Sequence, residues 1–147
     1  MPNAIDVSLE ASLDAVMSVQ SDVEDFCAEH GLSPRTTYVL NLILEELLTN
    51  VVNHGYEKPG GHPIALKVYR EDDAVIGEIV DHGRAFDLTT LPAPDVEAAI
   101  EDREIGGLGV YLSRTLTRDL TYTRVGDTNV VRFSLVDDTP PRKEETL

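Results

Sequence analysis

LILEELLTNVVNHGY, residues 42–56, has the spacing of a helix whose apolar side chains leave almost no face for water, yet it holds Glu46, Asn50 and Asn53. With Glu46 at zero and 3.6 residues per turn, Asn50 falls at about 40° and Asn53 at about −20°. The three form one stripe. Val39, Leu42 and Ile43 begin that stripe a turn earlier, while Leu40, Leu44, Leu47, Leu48, Val51 and Val52 cover the opposite side. Only Asn41, Glu45 and Thr49 make a narrow polar sliver, so Glu46 is expected away from water. A buried carboxylate is costly unless it is hydrogen-bonded, neutralised or facing a cation. The plain alternative is a Glu tied to backbone or to an Arg. Asn50 shifts the balance, because it offers a hard neutral oxygen suited to magnesium, which takes one or two protein ligands alongside waters and phosphates. A carboxylate one turn away is placed to act as a general base or to orient an attacking hydroxyl. Glu45, about 140° from Asn50 by the same geometry, is the poorer candidate.

Working outward from this helix, alternation over residues 4–9 predicts a short strand. Ser12 reads as the N-cap of a helix running to about His30 and closed by Gly31. Ser33-Pro34, a cap followed by proline at the first helical position, opens the second helix, which is predicted to continue to His54 and stop at Gly55. EKPGGHP (57–63) is a turn, and IALKVYR and AVIGEIVD form a predicted hairpin across residues 71–73. Residues 87–107 break the pattern with two prolines and clustered charge, as a long loop acting as a lid or binding segment does. Helical spacing resumes over 108–117, and DLTYTRV and NVVRFSLV pair across Gly126-Asp127 as a second hairpin. The order predicts an α+β fold, a two-layer sandwich with a mostly antiparallel sheet covered on one face by helices. One domain is expected over residues 1–137, followed by a disordered tail over 138–147.

Two further segments bear on chemistry. VDHGRAFD (80–87) follows a predicted strand, where Asp81 can accept from an exocyclic amino group and Gly83 leaves room for a flat base. Alone, Asp-x-Gly after a strand is an ordinary turn. In REIGGLGVYLSRTL, Gly106, Gly107 and Gly109 stand before a helix starting near Val110, where backbone N–H groups and the helix N-terminus favour phosphates. Alone, it is a flexible joint. The three segments in this order, with a long loop between the last two, are more specific than any one of them.

Glu46-x-x-x-Asn50, Asp81-x-Gly83-x-Ala85-Phe86 and Gly106-Gly107-Leu108-Gly109 resemble the N, G1 and G2 boxes of the GHKL ATPases, whose Bergerat ATP-binding fold is shared by gyrase, histidine kinases and MutL. The resemblance runs from about Ser8 to Val136. Within that group the chain looks most like the RsbW-type serine kinases that act as anti-sigma factors. The Asn-x-x-Asn-His-Gly-Tyr continuation of the N box, the AFD ending of G1 and the stretch from Arg103 to Leu112 are of that kind.

The resemblance implies roles. Asn50 holds magnesium, Glu46 activates the attacking hydroxyl, and Asp81 receives the adenine amino group with Gly83 shaping the base pocket; Ala85 and Phe86 are further nucleotide-binding residues. Gly107 and Gly109 let the lid, 87–107, fold onto the phosphates, and Gly106, Leu108 and Val110 belong to the same nucleotide-binding set. Asn53 lies on the face that reaches a phosphate or ribose oxygen, with a structural amide as the equal alternative. Arg103 meets the terminal phosphate, as Arg does in phosphoryl transfer, or is a solvated lid charge. The implied activity is a regulatory protein serine/threonine kinase using ATP and Mg2+, with a STAS-domain anti-anti-sigma protein as substrate and a sigma factor or similar target as second partner. A homodimer is compatible with it. The alternative is a non-catalytic ATP-binding module whose whole output is partner binding. A histidine kinase needs an upstream dimerising helix pair, for which the fewer than 50 residues before Glu46 leave little space.

Composition narrows the partners. Twelve Lys and Arg against 27 Asp and Glu give a formal charge of −15, which repels nucleic acid and anionic membranes. Cys27 has no partner for a disulfide, no signal peptide or spanning run is visible, and a cytoplasmic protein is expected. The four histidines match no zinc pattern; His54 is expected to be structural and the others superficial.

Overall fold

The computed structural model describes residues 4–56, 61–90 and 116–137. Two serines set its helices. Ser12 accepts from the Ala15 N–H at 3.2 Å and starts α1, Leu13–Glu29, after which Gly31 turns the chain at a φ of 64°. Ser33 accepts from the Thr36 N–H at 3.0 Å and starts α2, Pro34–Asn50, with proline in its first turn. The start of α2 is also tied to the far end of the domain: Asp137 accepts from the Ser33 N–H at 3.2 Å and from the Thr36 hydroxyl at 2.6 Å.

The expected continuation of this helix to His54 is real, but its last turn is different. Past Asn50 the chain forms a π-helical turn, Val51–Gly55. The wider turn keeps Val51, Val52 and Gly55 buried and puts Asn53 and His54 outside. Such turns cluster at functional sites.

The strands are β1, Ile5–Glu10, β2, Pro63–Glu71, β3, Ala74–Asp81, β4, Thr121–Val125, and β5, Thr128–Val136. They form one five-stranded sheet in the order β1-β2-β3-β5-β4, every pair antiparallel. Both expected hairpins are present, with Asp72 and Gly126 at positive φ in their turns. The result is the α+β sandwich expected from the sequence. Alternate strand residues enter the core: Ile64, Leu66 and Val68 from β2, Val75 and Ile79 from β3, and Val131, Phe133 and Leu135 from β5. They meet Leu40, Ile43, Leu44, Leu47 and Leu48 of α2 and Val16, Val19, Val23 and Phe26 of α1 in one cluster.

The register explains one glycine. Gly77 lies opposite Phe133, and a Cβ on it would come within 2.3 Å of the ring. The ring of Phe133, fully buried, occupies the space a side chain on Gly77 would take. Two pairs further along the same rows stand Asp81 and Asn129, opposite each other and both buried. They are the polar ends of two apolar rows.

Among the described residues, no helix is long and apolar enough to cross a membrane. The predicted segments 91–115 and 138–147, with most of the helix expected over 108–117, lie outside the described residues.

Candidate active site

The buried Asp81 closes β3 and is held by its own loop. Its Oδ1 accepts from the Gly83 N–H at 2.8 Å and from Asn129 Nδ2 at 3.0 Å. Among the described residues both of these hydrogen bonds to Asp81 fall on Oδ1 and neither on Oδ2. The loop after it is fastened to the π-turn, because the Arg84 N–H donates to the Gly55 carbonyl at 2.9 Å. The structure gives Gly83 a reason separate from base stacking: a Cβ there would lie 2.5 Å from the Gly55 carbonyl oxygen. Two backbones touch at this point, joining the end of the helix to the loop.

Asn50, 9% exposed, faces the same region. Its Nδ2 donates to the Glu46 carbonyl at 2.8 Å, which fixes the amide and leaves Oδ1 as the acceptor on the other side. That arrangement fits a divalent cation completed by water and phosphate oxygens. No cluster of three or more His, Cys, Asp or Glu suited to a metal occurs among the described residues.

Glu46 is half-buried, not sealed from water as its helical position suggested, while Glu45 is exposed. The stripe runs at the edge of the core, so one side of Glu46 stays open. Burial, with a smaller contribution from the Glu45 charge, pushes its carboxyl above the ordinary carboxylate range. A carboxylate raised in this way is a better proton acceptor.

Asn50, Asp81, Phe86, Leu88, Asn129 and Val131 are among the residues lining a narrow cavity of about 20 Å³. A wider groove of about 280 Å³ between α1 and α2, lined by Met17, Tyr38 and Glu45 among others, contains neither Asp81 nor Asn50. Phe86 is half-buried, and its ring stacks on that of the exposed His54 at 4.8 Å. Ala85 is exposed. Asn53 is also exposed, because the π-turn inserts a residue and the α-helical angle no longer applies beyond Asn50. At the start of the segment expected to form a lid, Leu88 is buried and Asp87 accepts from the Thr89 N–H at 2.9 Å. Arg103, Gly106, Gly107, Leu108, Gly109 and Val110 lie outside the described residues.

Sequence reasoning missed Asn129. The signal was present, since Asn129, Val131, Phe133 and Leu135 share one face of β5 and only the first is polar. It also missed Tyr56, whose hydroxyl accepts from the His82 N–H at 3.0 Å and whose ring stacks on His62 at 4.1 Å.

Residues 9–135 match the family model of the histidine kinase-like ATPase domain. The serine/threonine-protein kinase BtrW of Bordetella bronchiseptica is 33% identical over 121 residues, which cover 80% of this chain and 84% of that protein. The serine-protein kinase RsbW of Halalkalibacterium halodurans is 27% identical over 119 residues, 78% of this chain and 72% of that one. Among solved structures, a Mycobacterium tuberculosis protein containing RsbU and RsbW domains superposes with a TM-score of 0.66 at 16% identity. That match covers 95% of this chain and 34% of the other, and bears on the fold alone. The chain belongs to the histidine kinase-like ATPase domain family, and within it to the RsbW-type protein kinases.

Proposed function

We propose that this protein transfers the γ-phosphate of ATP to a Ser or Thr of a small STAS-domain antagonist, and that it also binds a sigma factor or similar regulatory target. Phosphorylating the antagonist then keeps the target bound. The observation that carries the kinase reading is the pair on α2, a half-buried Glu46 one turn before an Asn50 whose amide is tied to the Glu46 carbonyl.

In this reading Asp81 holds the adenine amino group and Asn50 supplies its Oδ1 to magnesium. Magnesium held there would supply positive charge to offset that of the phosphates. Glu46 takes the proton of the substrate hydroxyl as that oxygen bonds to the γ-phosphorus and the bond to the β-phosphate oxygen breaks, releasing ADP. Positioning is the main contribution of the protein in such transfers, because there is little covalent chemistry for it to do.

The test is incubation with γ-labelled ATP, magnesium and STAS-domain proteins of the same organism. Label on one Ser or Thr of one partner is the expected result. Tight ATP binding with no labelled protein would instead favour a module that only binds partners.

A further inference from the structure

We propose that Arg124 and Asn129 form a positioning pair that makes the site selective for a purine carrying an amino group at C6. The proposal rests on the reading of Asp81 as the adenine acceptor.

Asn129 is 4% exposed, and its amide is fully used. On one side Nδ2 faces three acceptors, Asp81 Oδ1 at 3.0 Å, the Gly83 carbonyl at 3.2 Å and the Arg84 carbonyl at 3.0 Å. On the other side Oδ1 accepts from Arg124 Nη1 at 3.0 Å and from the Tyr122 hydroxyl. Turned over, the amide would set its oxygen against a carboxylate and two carbonyls, and its nitrogen against a guanidinium. Only one orientation survives. The Arg124 guanidinium, which donates to Oδ1, enforces that orientation.

Arg124 also acts on the loop directly. Its Nη1 donates to the Gly83 carbonyl at 2.7 Å, and its Nε donates to the Gly126 carbonyl at 3.1 Å in the β4–β5 turn. A side chain from edge strand β4 thus clamps the loop that follows β3. The clamp keeps Asp81 Oδ1 occupied by Asn129 and Gly83, and so reserves Oδ2 for the base. Asn129, with both amide functions satisfied inside the protein, positions Asp81.

The test compares ATP with purine riboside 5′-triphosphate, which lacks the C6 amino group, by calorimetry in magnesium. Wild type is expected to prefer ATP by about 10- to 100-fold, the scale of a hydrogen bond to a charged group. Asn129→Ala and Arg124→Met are each expected to cut that preference to about threefold or less, with little change for the analogue. In turnover the same variants raise KM for ATP and leave kcat near wild type. Arg124 is exposed on an edge strand, so Arg124→Met gives a folded test even if Asn129→Ala unfolds. Variants that keep the full preference, or that weaken both nucleotides in equal proportion, overturn the positioning role. A wild type that binds both nucleotides equally overturns the reading of Asp81 itself, and the pair with it.

Discussion

Glu46→Gln is expected to bind magnesium-ATP as tightly as wild type while phosphotransfer falls by about 10²- to 10⁴-fold, the usual contribution of a positioned general base. Gln keeps the size and the hydrogen-bonding reach of Glu but cannot take the proton. Rapid-quench transfer rates beside calorimetric affinities separate the two effects, and a variant that transfers at full rate removes Glu46 from the chemistry. The pH profile adds a second readout. Burial raises the Glu46 carboxyl, so the base is lost as pH falls through that raised value, at a higher pH than an ordinary glutamate would give. The sign for stability is opposite. Between the unfolded and the raised folded value the native state holds a proton that the unfolded chain releases, so this group makes the protein less stable as pH rises through that window. Glu46→Gln is therefore at least as stable as wild type near neutrality, and it loses activity without losing fold.

Gly83→Ala is expected to damage both fold and site. The added methyl would stand 2.5 Å from the Gly55 carbonyl oxygen and 2.8 Å from its carbon, which are backbone atoms with no rotamer to move. Either the loop or the π-turn must shift. The loop shift breaks the Gly83 N–H bond to Asp81, and the turn shift breaks the Arg84 N–H bond to Gly55. Overpacking of this kind costs about 1 to 3 kcal/mol, and affinity for ATP falls with it because Asp81 loses a donor. Urea melts together with calorimetry measure both. Stability within about 0.5 kcal/mol of wild type, the range of an ordinary surface substitution, would mean that the Gly55–Gly83 contact does not hold the loop.

The elements with local signatures were readable from the chain. Ser12, Ser33 and Pro34 name helix starts because a cap needs a particular side chain at a particular place, and the Gly126-Asp127 turn marks a hairpin for the same reason. Asn50 was legible as a polar residue in an apolar helix and Asp81 as an acceptor at a strand end, and both are buried. The π-turn after Asn50 left no such mark, since apolar spacing near a helix end does not reveal an inserted residue, and the angle computed for Asn53 carried past the point where the α-helix stops. Asn129 and Arg124 depend on which strand lies beside β3. That pairing, β5 between β3 and β4, is a property of the sheet rather than of any local stretch. Gly83 was singled out for its lack of a side chain, but the backbone that fills the space belongs to a residue 28 positions earlier. Contacts of that length are decided by tertiary packing.

The most direct measurement is a calorimetric titration of magnesium-ATP into wild type and Asp81→Asn. Asparagine at this position presents an N–H₂ to the donors that now bond Oδ1, or to the adenine amino group, so one hydrogen bond is lost or mismatched whichever way the amide turns. Binding weakened by about 1 to 3 kcal/mol, with the melting temperature held close to wild type, is the predicted result. Unchanged affinity for ATP in the variant would contradict it, and would place the adenine away from the end of β3.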